Sequence, residues 1–582
     1  MTLEAGFVIG TCCVLPDEGR IESPGGAFRV EPKAMDVLLE LARHAPQVCA
    51  RERIIRAVWP RGYVGDDVLT RCIGQLRRAL GDDARSPHLL ETIPKRGYRL
   101  RRPAAPLAGS APAPGSEPAG QAGTLIVLPL RQVSAVGDAF IADGVTDLLI
   151  LQLGSLQGVR VISRTTAMRF APGTAATREI AQATGADWIV EGSVIQEADQ
   201  VQVVVRLVDA HTDLHRWGAT FRRELHDLLP LLNEMAGQLG QAIHARIGQP
   251  PYAQAPNLSS EVVRAYLLAR QAISRRTAEG LREAVRRFDA IAAQAPGFAS
   301  AWASRAECEL LLAHYGAADA GRLIGDCRDH IERALALERG LPLALSARSA
   351  VRLFFDCDVD GAAHDAERAL AAMPQYVMAM LALANVAAVR GDFAAASAWI
   401  KQARLTDPLD VGIAMNLGDH MIFQDRYEDA VRALTAALQL VPDHRPSRLR
   451  LAWALALCGR AQQARAAMQA AASAGGADPA WLEHAALVAA AAGDIEAAAA
   501  HAQALEALAR TEPVPAWSLA RACAAAGRRE PALRWLARAA EQRCSWIVFV
   551  HLMPVFDGLG GAAHFGALAQ RALGRELRAW RP

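Results

Sequence analysis

The sequence predicts a multidomain, mainly α-helical chain in three parts: a small helical head closed by a ribbon, a compact α/β domain, and a long solenoid of helix pairs. Three observations carry this. A basic amphipathic stretch, "DDVLTRCIGQLRRALGDD", is followed at once by the short apolar, basic stretch "LETIPKRGYRL". Strand-like and helix-like runs alternate between about residues 124 and 250. Beyond about residue 260, turn signals recur every 34 residues.

Within the head, "AMDVLLELARHAPQVCA" places Met35, Leu38, Leu39 and Leu41 at helical spacing. "RERIIRAVWP" offers Ile54, Ile55, Val58 and Trp59, with Pro60 as a stop. The third helix puts Val68, Leu69, Cys72, Ile73, Leu76 and Leu80 on one apolar stripe. Asp66 and Asp67 suit its N-terminus, and Gly81 ends it. "HLLETI" and "YRL" then read as two strands around "PKRG", with Gly97 supplying the turn and Pro94 tolerable at an edge. Three helices closed by a two-stranded ribbon make a winged helix-turn-helix.

Charge agrees with that reading. Residues 51–102 hold 13 Lys/Arg against 6 Asp/Glu, a local net of +7, whereas residues 1–50 hold 4 against 7, a net of −3. On charge alone, a cluster of that size fits a phosphate-binding footprint and a solvated basic face equally well. A helix fits a major groove, and Arg and Gln can hydrogen-bond base edges there. The expected DNA-binding residues are Thr70, Arg71, Gln75, Arg77 and Arg78 on the helix and Lys95 and Arg96 on the wing.

The segment "AVWPRGYVGDDVLTRCIGQLRRALGDDARSPHLLETIPKRGYRL" resembles the C-terminal half of an OmpR/PhoB-type winged-helix DNA-binding domain. Trp59, Leu69, "IGQLRRALGDD" and "ETIPKRGYRL" carry the match, and the resemblance covers residues 1–102, including a strand region at "AFRVEPKAM". The variant "LTRCIGQLRRAL" with "IPKRGYRL" is similar to the ToxR/CadC/HilA-like branch. Phosphorelay members often carry more arginines on this helix, where this chain has Asp67, Gly74 and Gln75, so no operator sequence transfers. The resemblance implies a one-component regulator. Neither a receiver domain ahead of the module nor the membrane span of CadC-like relatives is expected.

Residues 103–123 contain 5 Pro, 4 Gly and 7 Ala, a composition expected of a flexible, partly extended linker. In 124–250, "TLIVLPL", "VRVIS", "ADWIVEGSVIQ", "QVQVVVRLVDA" and "HRWGATFRREL" read as strands. "FIADGVTDLLILQLGSL", "TREIAQATG" and "HDLLPLLNEMAGQLGQAIHARIG" read as helices. "IVLPL", "FIADGVTDLLI" and "GADWIVEGSV" resemble the TolB N-terminal-like domain. Asp209, His211, Asp213 and His215 alternate in "DAHTDLHRW", a pattern conceivable for a metal, but a solvated turn is the expected role. No nucleophile or acid/base constellation stands out, so no enzyme is expected, although similar middle and repeat regions accompany catalytic domains.

The repeat signals are Cys357-Asp358, Gly391-Asp392, Asp425-Arg426, Gly459-Arg460, Gly493-Asp494 and Gly527-Arg528, with Pro374, Pro408 and Pro442 also 34 apart. Small residues at Ala384/Ala396 and Gly418/Ala430 let paired helices approach. The spacing resembles tetratricopeptide repeats. Six units span about 343–546, two less regular ones 265–342, and a capping helical segment is expected within a solenoid of 260–575. Arg404, Arg432, Arg448, Arg450 and Arg465 are more often solvated outer charges in such arrays.

No run of 18 apolar residues and no basic n-region before "FVIG" exist, so neither a membrane span nor a signal peptide is expected, and the location expected is cytoplasmic. Ten scattered cysteines without CxxC suggest neither disulfides nor a zinc site. No cofactor is expected. The expected partners are double-stranded DNA, a protein partner or a second copy through the repeats, and RNA polymerase, with a homo-oligomer on DNA. The alternative is a repeat-based scaffold whose winged helix contacts protein.

Overall fold

The computed structural model describes residues 7–9, 12–16, 20–23, 26–45, 47–58, 66–82, 87–93, 96–101, 105–106, 123–133, 140–170, 173, 175–243, 245–247, 257–274, 277–314 and 320–559. The chain forms two compact units, residues 1–113 and 114–582. Trp59, Pro60, Pro94, Lys95 and residues 107–122 lie outside the described residues, as do the side chains of Asp66 and Asp67.

The first unit opens with an antiparallel meander, β1 (Phe7–Ile9), β2 (Cys12–Leu15), β3 (Arg20–Ser23) and β4 (Gly26–Arg29). Three helices follow: α1 (Pro32–His44), α2 (Arg51–Val58) and α3 (Asp66–Leu80). The wing is β5 (Leu90–Ile93) paired antiparallel with β6 (Gly97–Leu100). The sequence shows only part of the meander, because its strands are three or four residues long and offer too little alternation. A further strand, β7 (Ala105–Pro106), pairs with β1, so the first residues assigned to the linker belong to the head's sheet. Ile9, Val14 and Ile21 of the meander share one core with Leu38, Ile54, Leu69, Leu76, Tyr98 and Leu100.

Gly97 is required where it stands. Its φ is +136°, and a Cβ there would lie 2.0 Å from the Cys49 carbonyl oxygen. That closeness lets Tyr98 and Cys49 exchange two backbone hydrogen bonds of 2.8 and 3.0 Å, binding the wing to the segment before α2.

In the second unit, β8 (Gly123–Val127) sits between β11 (Val159–Val161) and β12 (Trp188–Glu197), all parallel. The antiparallel strands β13 (Gln200–Asp209) and β14 (His215–Glu224) extend that sheet, and β9 (Arg131–Gln132) pairs with β12. β10 (Leu156–Gln157) pairs separately with β15 (Arg246–Ile247). The helices are α4 (Phe140–Leu153), α5 (Arg164–Ala167), α6 (Thr177–Thr184) and α7 (Leu228–Ala242). Buried apolar residues dominate β8 and α4, as expected of elements covered on several sides.

Among the described residues, eight helix pairs follow. The two irregular ones are α8 (Ser260–Ser274) with α9 (Ala278–Gln294), and α10 (Ala299–His314) with α11 (Ala320–Leu337). The six in phase are α12 (Pro342–Phe354) with α13 (Val359–Ala372), α14 (Val377–Val389) with α15 (Phe393–Thr406), α16 (Val411–Phe423) with α17 (Tyr427–Leu440), α18 (Arg445–Leu457) with α19 (Ala461–Gly475), α20 (Pro479–Ala491) with α21 (Ile495–Leu508), and α22 (Ala516–Ala525) with α23 (Arg529–Glu541). At each predicted turn one residue is left-handed: Cys357, Gly391, Asp425, Gly459, Gly493 and Gly527, with φ between +55° and +82°. The next residue's N–H then reaches back to a carbonyl of the preceding helix, as Asp392 does to Ala387 at 2.9 Å. Asp358, Asp392 and Asp494 also cap the following helix with their carboxylates. Gly418 is needed for close pairing, since a Cβ there would meet Leu434 Cγ at 2.6 Å.

Two features revise the sequence picture. First, the α/β domain and the first helix pairs share one hydrophobic core, running from Leu125 through Leu267 to Leu312, so the two are not energetically separate. Gly144 of α4 lies so close to α8 that a Cβ would be 2.7 Å from Leu267 Cδ2. Second, the capping helical segment expected at the end falls mostly outside the described residues, and its described part consists of short turns. Residues 547–552 and 554–559 are 3-10 turns, and residues 560–582 lie outside the described residues. The first turn folds back onto the first helices of earlier pairs. Phe549 packs between Phe354 of α12 and Phe423 of α16, with ring centroids 6.1 and 5.4 Å away. His551 Nε2 bonds the Val389 carbonyl at the end of α14 at 3.2 Å.

No described helix is long and apolar enough to cross a membrane.

Candidate nucleic-acid interface

The core side of α3 is Leu69, Cys72, Ile73, Leu76, Ala79 and Leu80, all buried. Burial raises the Cys72 thiol above its ordinary range, consistent with a packing residue. The opposite side exposes Val68, Thr70, Arg71, Gly74 and Arg78, with Gln75 half-buried beside them. Val68 departs from the expected apolar stripe: it is 43% exposed. The stripe from the sequence placed it one step too far around the helix, because a hydrophobic residue in the first turn mimics the core period.

The expected site residues that are described differ in setting. Thr70 Oγ1 accepts from Arg51 Nη2 at 3.3 Å, and the same nitrogen donates to Tyr98 OH at 2.8 Å. Arg51 also lies 5.3 Å from the centroid of the Tyr98 ring. It thereby joins α2, α3 and the wing, a role no sequence pattern marked. Arg71 is open, with its side chain 80% exposed and a loose 3.5 Å approach to Glu31. Arg77 is engaged within the fold: its Nη2 donates to the Leu90 carbonyl at 3.2 Å and to Thr92 Oγ1 at 2.8 Å. This residue fixes the wing against the helix. Arg78 and Arg96 are exposed. Lys95 cannot be placed, being outside the described residues.

Asp82 clamps the wing's base. Its carboxylate accepts from the backbone N–H groups of His88 at 2.7 Å, Leu89 at 3.0 Å and Leu90 at 2.6 Å. Across the ribbon, Arg99 pairs with Glu91 at 2.7 Å. Helix and wing are thus held in one fixed relation, which two elements meeting one duplex need.

Glu40, His44 and Cys49 bring potential ligand atoms within 4.8 Å of one another. Arg53 approaches the Glu40 carboxylate at 3.4 Å and also bonds His44, so this is a polar tie between α1 and α2. In the second unit, the "DAHTDLHRW" run is a closed turn. Asp209 accepts from Arg216 at 2.8 Å and from the N–H groups of His211 and Thr212. The Arg216 hydrogen bond leads the effects that hold its carboxyl well below the usual range. Asp213, at φ +58°, accepts from Thr177, and His211 turns to Asp187.

Comparison with known proteins fits this geometry. Residues 25–100 match the C-terminal domain of transcriptional regulatory proteins, and residues 423–488 match the tetratricopeptide repeat. The head is an OmpR/PhoB-type winged-helix domain, and the helix pairs are tetratricopeptide repeats. The chain is 38% identical to the transcriptional activator CadC of Escherichia coli over 96 residues, 16% of this chain and 19% of that protein. It is 22% identical to the transcriptional regulator HilA of Salmonella typhimurium over 444 residues, 76% of this chain and 71% of that protein. It is also 26% identical over 185 residues to the putative adenylate cyclase 3 of Rhizobium meliloti, 31% of this chain and 32% of that protein. The chain therefore spans about a fifth of CadC and about seven-tenths of HilA.

Proposed function

We propose that the protein is a sequence-specific, one-component transcriptional regulator that binds double-stranded DNA through α3 and the wing. The observation that carries this reading is the stripe of exposed Val68, Thr70, Arg71, Gly74 and Arg78, with half-buried Gln75 beside them, on a helix whose other face is core. Arg71 and Gln75 read base edges, Val68 meets a thymine methyl, and Arg78 contacts phosphate or base. Arg96, with Lys95 beside it in sequence, meets the backbone from the wing, while Arg77 holds wing and helix in register. The reading includes no catalytic step. The α/β domain is TolB-like in this reading, and the second unit supplies self-association or a protein partner, RNA polymerase among the candidates. The protein acts in the cytoplasm as an oligomer, because tethering two heads raises effective concentration at paired half-sites.

The test is selection of bound genomic fragments by full-length protein and by Arg71→Ala, Gln75→Ala and Arg96→Ala. The first two variants should change the selected motif. The third should weaken binding to all sequences and flatten the salt slope by about 0.9, one phosphate contact on B-DNA. A motif unaltered in both Arg71→Ala and Gln75→Ala places the recognition face elsewhere. Binding that does not fall with salt favours the scaffold alternative.

A further inference from the structure

The sheet of the α/β domain ends differently on its two sides. One outer strand is β11, only three residues long. The other is β14, ten residues long, which pairs with β13 and, among the described residues, with no strand beyond it. A long open edge invites pairing with another chain, and proteins guard such edges with short strands, prolines, charges or bulges. The length of β11 guards it. In β14 the register shifts near the start, opposite Leu207 and Val208, and the charged residues lie toward the two ends. Its middle, Trp217-Gly218-Ala219-Thr220-Phe221, holds no charge and no proline.

Pairing with β13 shows which backbone groups of β14 lie open. Leu225 N–H donates to the Asp199 carbonyl at 2.7 Å, so 199 and 225 form a hydrogen-bonded pair. Such pairs alternate along an antiparallel ladder, which makes Val201–Arg223, Val203–Phe221 and Val205–Ala219 the next ones. Gly218, Thr220, Arg222 and Glu224 therefore turn their N–H and C=O groups the other way, to the open edge. All four residues are exposed. The Arg222 carbonyl accepts from Arg223 Nη1 at 2.9 Å, a contact that an added strand would displace.

We propose that β14 is a dimer interface, pairing antiparallel with β14 of a second copy about a two-fold axis at Thr220. The proposal rests on the reading that the second unit supplies self-association, and it names the surface. The occupant is a second copy because the strand complements itself. Open backbone groups of both strands meet only in registers that put the axis at Ala219, Thr220 or Phe221 near the strand's centre. With the axis at Thr220, Arg222 lies opposite Gly218 and Phe221 opposite Ala219, each large side chain against a small one. Arg223 lies opposite the Trp217 ring, a cation against an aromatic face. Glu224 comes beside Arg216 of the other copy, at the register shift and outside the regular ladder. An axis at Ala219 would oppose Arg222 and Arg216, two like charges, and one at Phe221 would forfeit both charged contacts. Arg216 holds Asp209 at 2.8 Å and Arg223 holds Glu234 at 3.2 Å, yet their side chains stay 50% and 47% exposed, with further donors to give. Two joined sheets carry two heads in one assembly, as binding to paired half-sites needs.

The test is sedimentation equilibrium of full-length protein without DNA, joined to disulfide trapping. The protein should form a reversible dimer. Thr220→Pro removes an N–H that faces the open edge and leaves the ladder to β13 intact, so melting should hold while the dimer's Kd rises at least about tenfold. Thr220→Cys should give a covalent dimer on mild oxidation, because opposed residues of a hydrogen-bonded pair stand about 5.5 Å apart between Cα atoms, within disulfide reach. Arg222→Cys should not, since its counterpart lies four residues further along the strand, about 14 Å away. The unsubstituted protein, oxidised in parallel, gives the background from its own ten cysteines. Trapping also decides the matter if Thr220→Pro fails to fold. A dimer undiminished in a normally melting Thr220→Pro overturns the β14 interface while leaving self-association standing. So does a Thr220→Cys protein that cross-links no better than background, or no better than Arg222→Cys. A monomer at every concentration up to about 100 μM overturns the interface and self-association together, whether the edge stays bare or takes the strand of a different protein.

Discussion

The recognition face of the head and the groove of the repeats both contain arginines, and the two regions treat them in opposite ways. On α3, Arg71 has its side chain 80% exposed and only a 3.5 Å approach to Glu31. In the groove, Arg450 is 18% exposed and doubly bonded to Asp419, and Arg521 is enclosed between Glu483 and the Trp453 ring. A cation left open is free to meet an anion from outside. A cation already matched is part of the architecture, and removing it strands its partner in a dry place. The distinction lies in pairing and burial, not in residue type, so the same substitution has different consequences in the two regions.

The sharpest break in the comparison should come from Arg450→Met. Leaving Asp419 without its cation should destabilise the second unit by about 3 kcal/mol, seen as a lower melting temperature, with the head's intrinsic DNA affinity unchanged. Weakened DNA binding with unchanged melting would reverse the contrast. Arg71→Ala should do the converse, costing about 1–3 kcal/mol in specific DNA binding with melting unaltered.

A third test uses a buried group without a cation. Burial raises Glu338 at the end of α11 to about 7. The ordinary value is near 4.5, so its charge is costlier in the folded chain than in the unfolded one. The penalty is absent below about pH 4.5 and grows as pH rises toward 7. Glu338→Gln should therefore stabilise the protein on the order of 1 kcal/mol at pH 8 and hardly at all at pH 4, after allowance for solvent screening. Equal effects at both pH values would show that the carboxylate already has a partner.

The smallest expected effect separates folding from recognition at one position. A Cβ on Gly74 would meet nothing within 4 Å. Gly74→Ala should stabilise α3 by up to about 1 kcal/mol, because alanine loses less entropy in a helix. It should nevertheless weaken DNA binding, since the methyl group would stand on the face proposed to meet the duplex. Gains in both would remove Gly74 from the interface.

What could be read in the sequence follows from how local each feature is. The repeats were legible because six turns each need one left-handed residue followed by a helix start, a constraint held within a few positions. Cys357 and Asp425 fill that place without being glycine, and only the phase of the array identified them. The α3 helix was legible from its stripe, although Val68 was put on the wrong side. Arg51 and Asp82 were not legible as organisers, because their partners Tyr98 and Leu90 are brought near by folding. Arg450 was passed over for the same reason: an arginine in sequence carries no sign that an aspartate 31 positions earlier awaits it.

The core shared by α4 and α8 bears on how such an array grows. A stack of helix pairs ends in an apolar face, onto which another stack can add unless something covers it. Here Leu267 and Tyr266 of the first pair are already committed to the core of the α/β domain. The array therefore presents no bare starting face to a second copy, and end-to-end stacking into filaments is blocked on that side. Copies of a 34-residue unit gained by gene duplication would fit only further along, between pairs that already share the same turn.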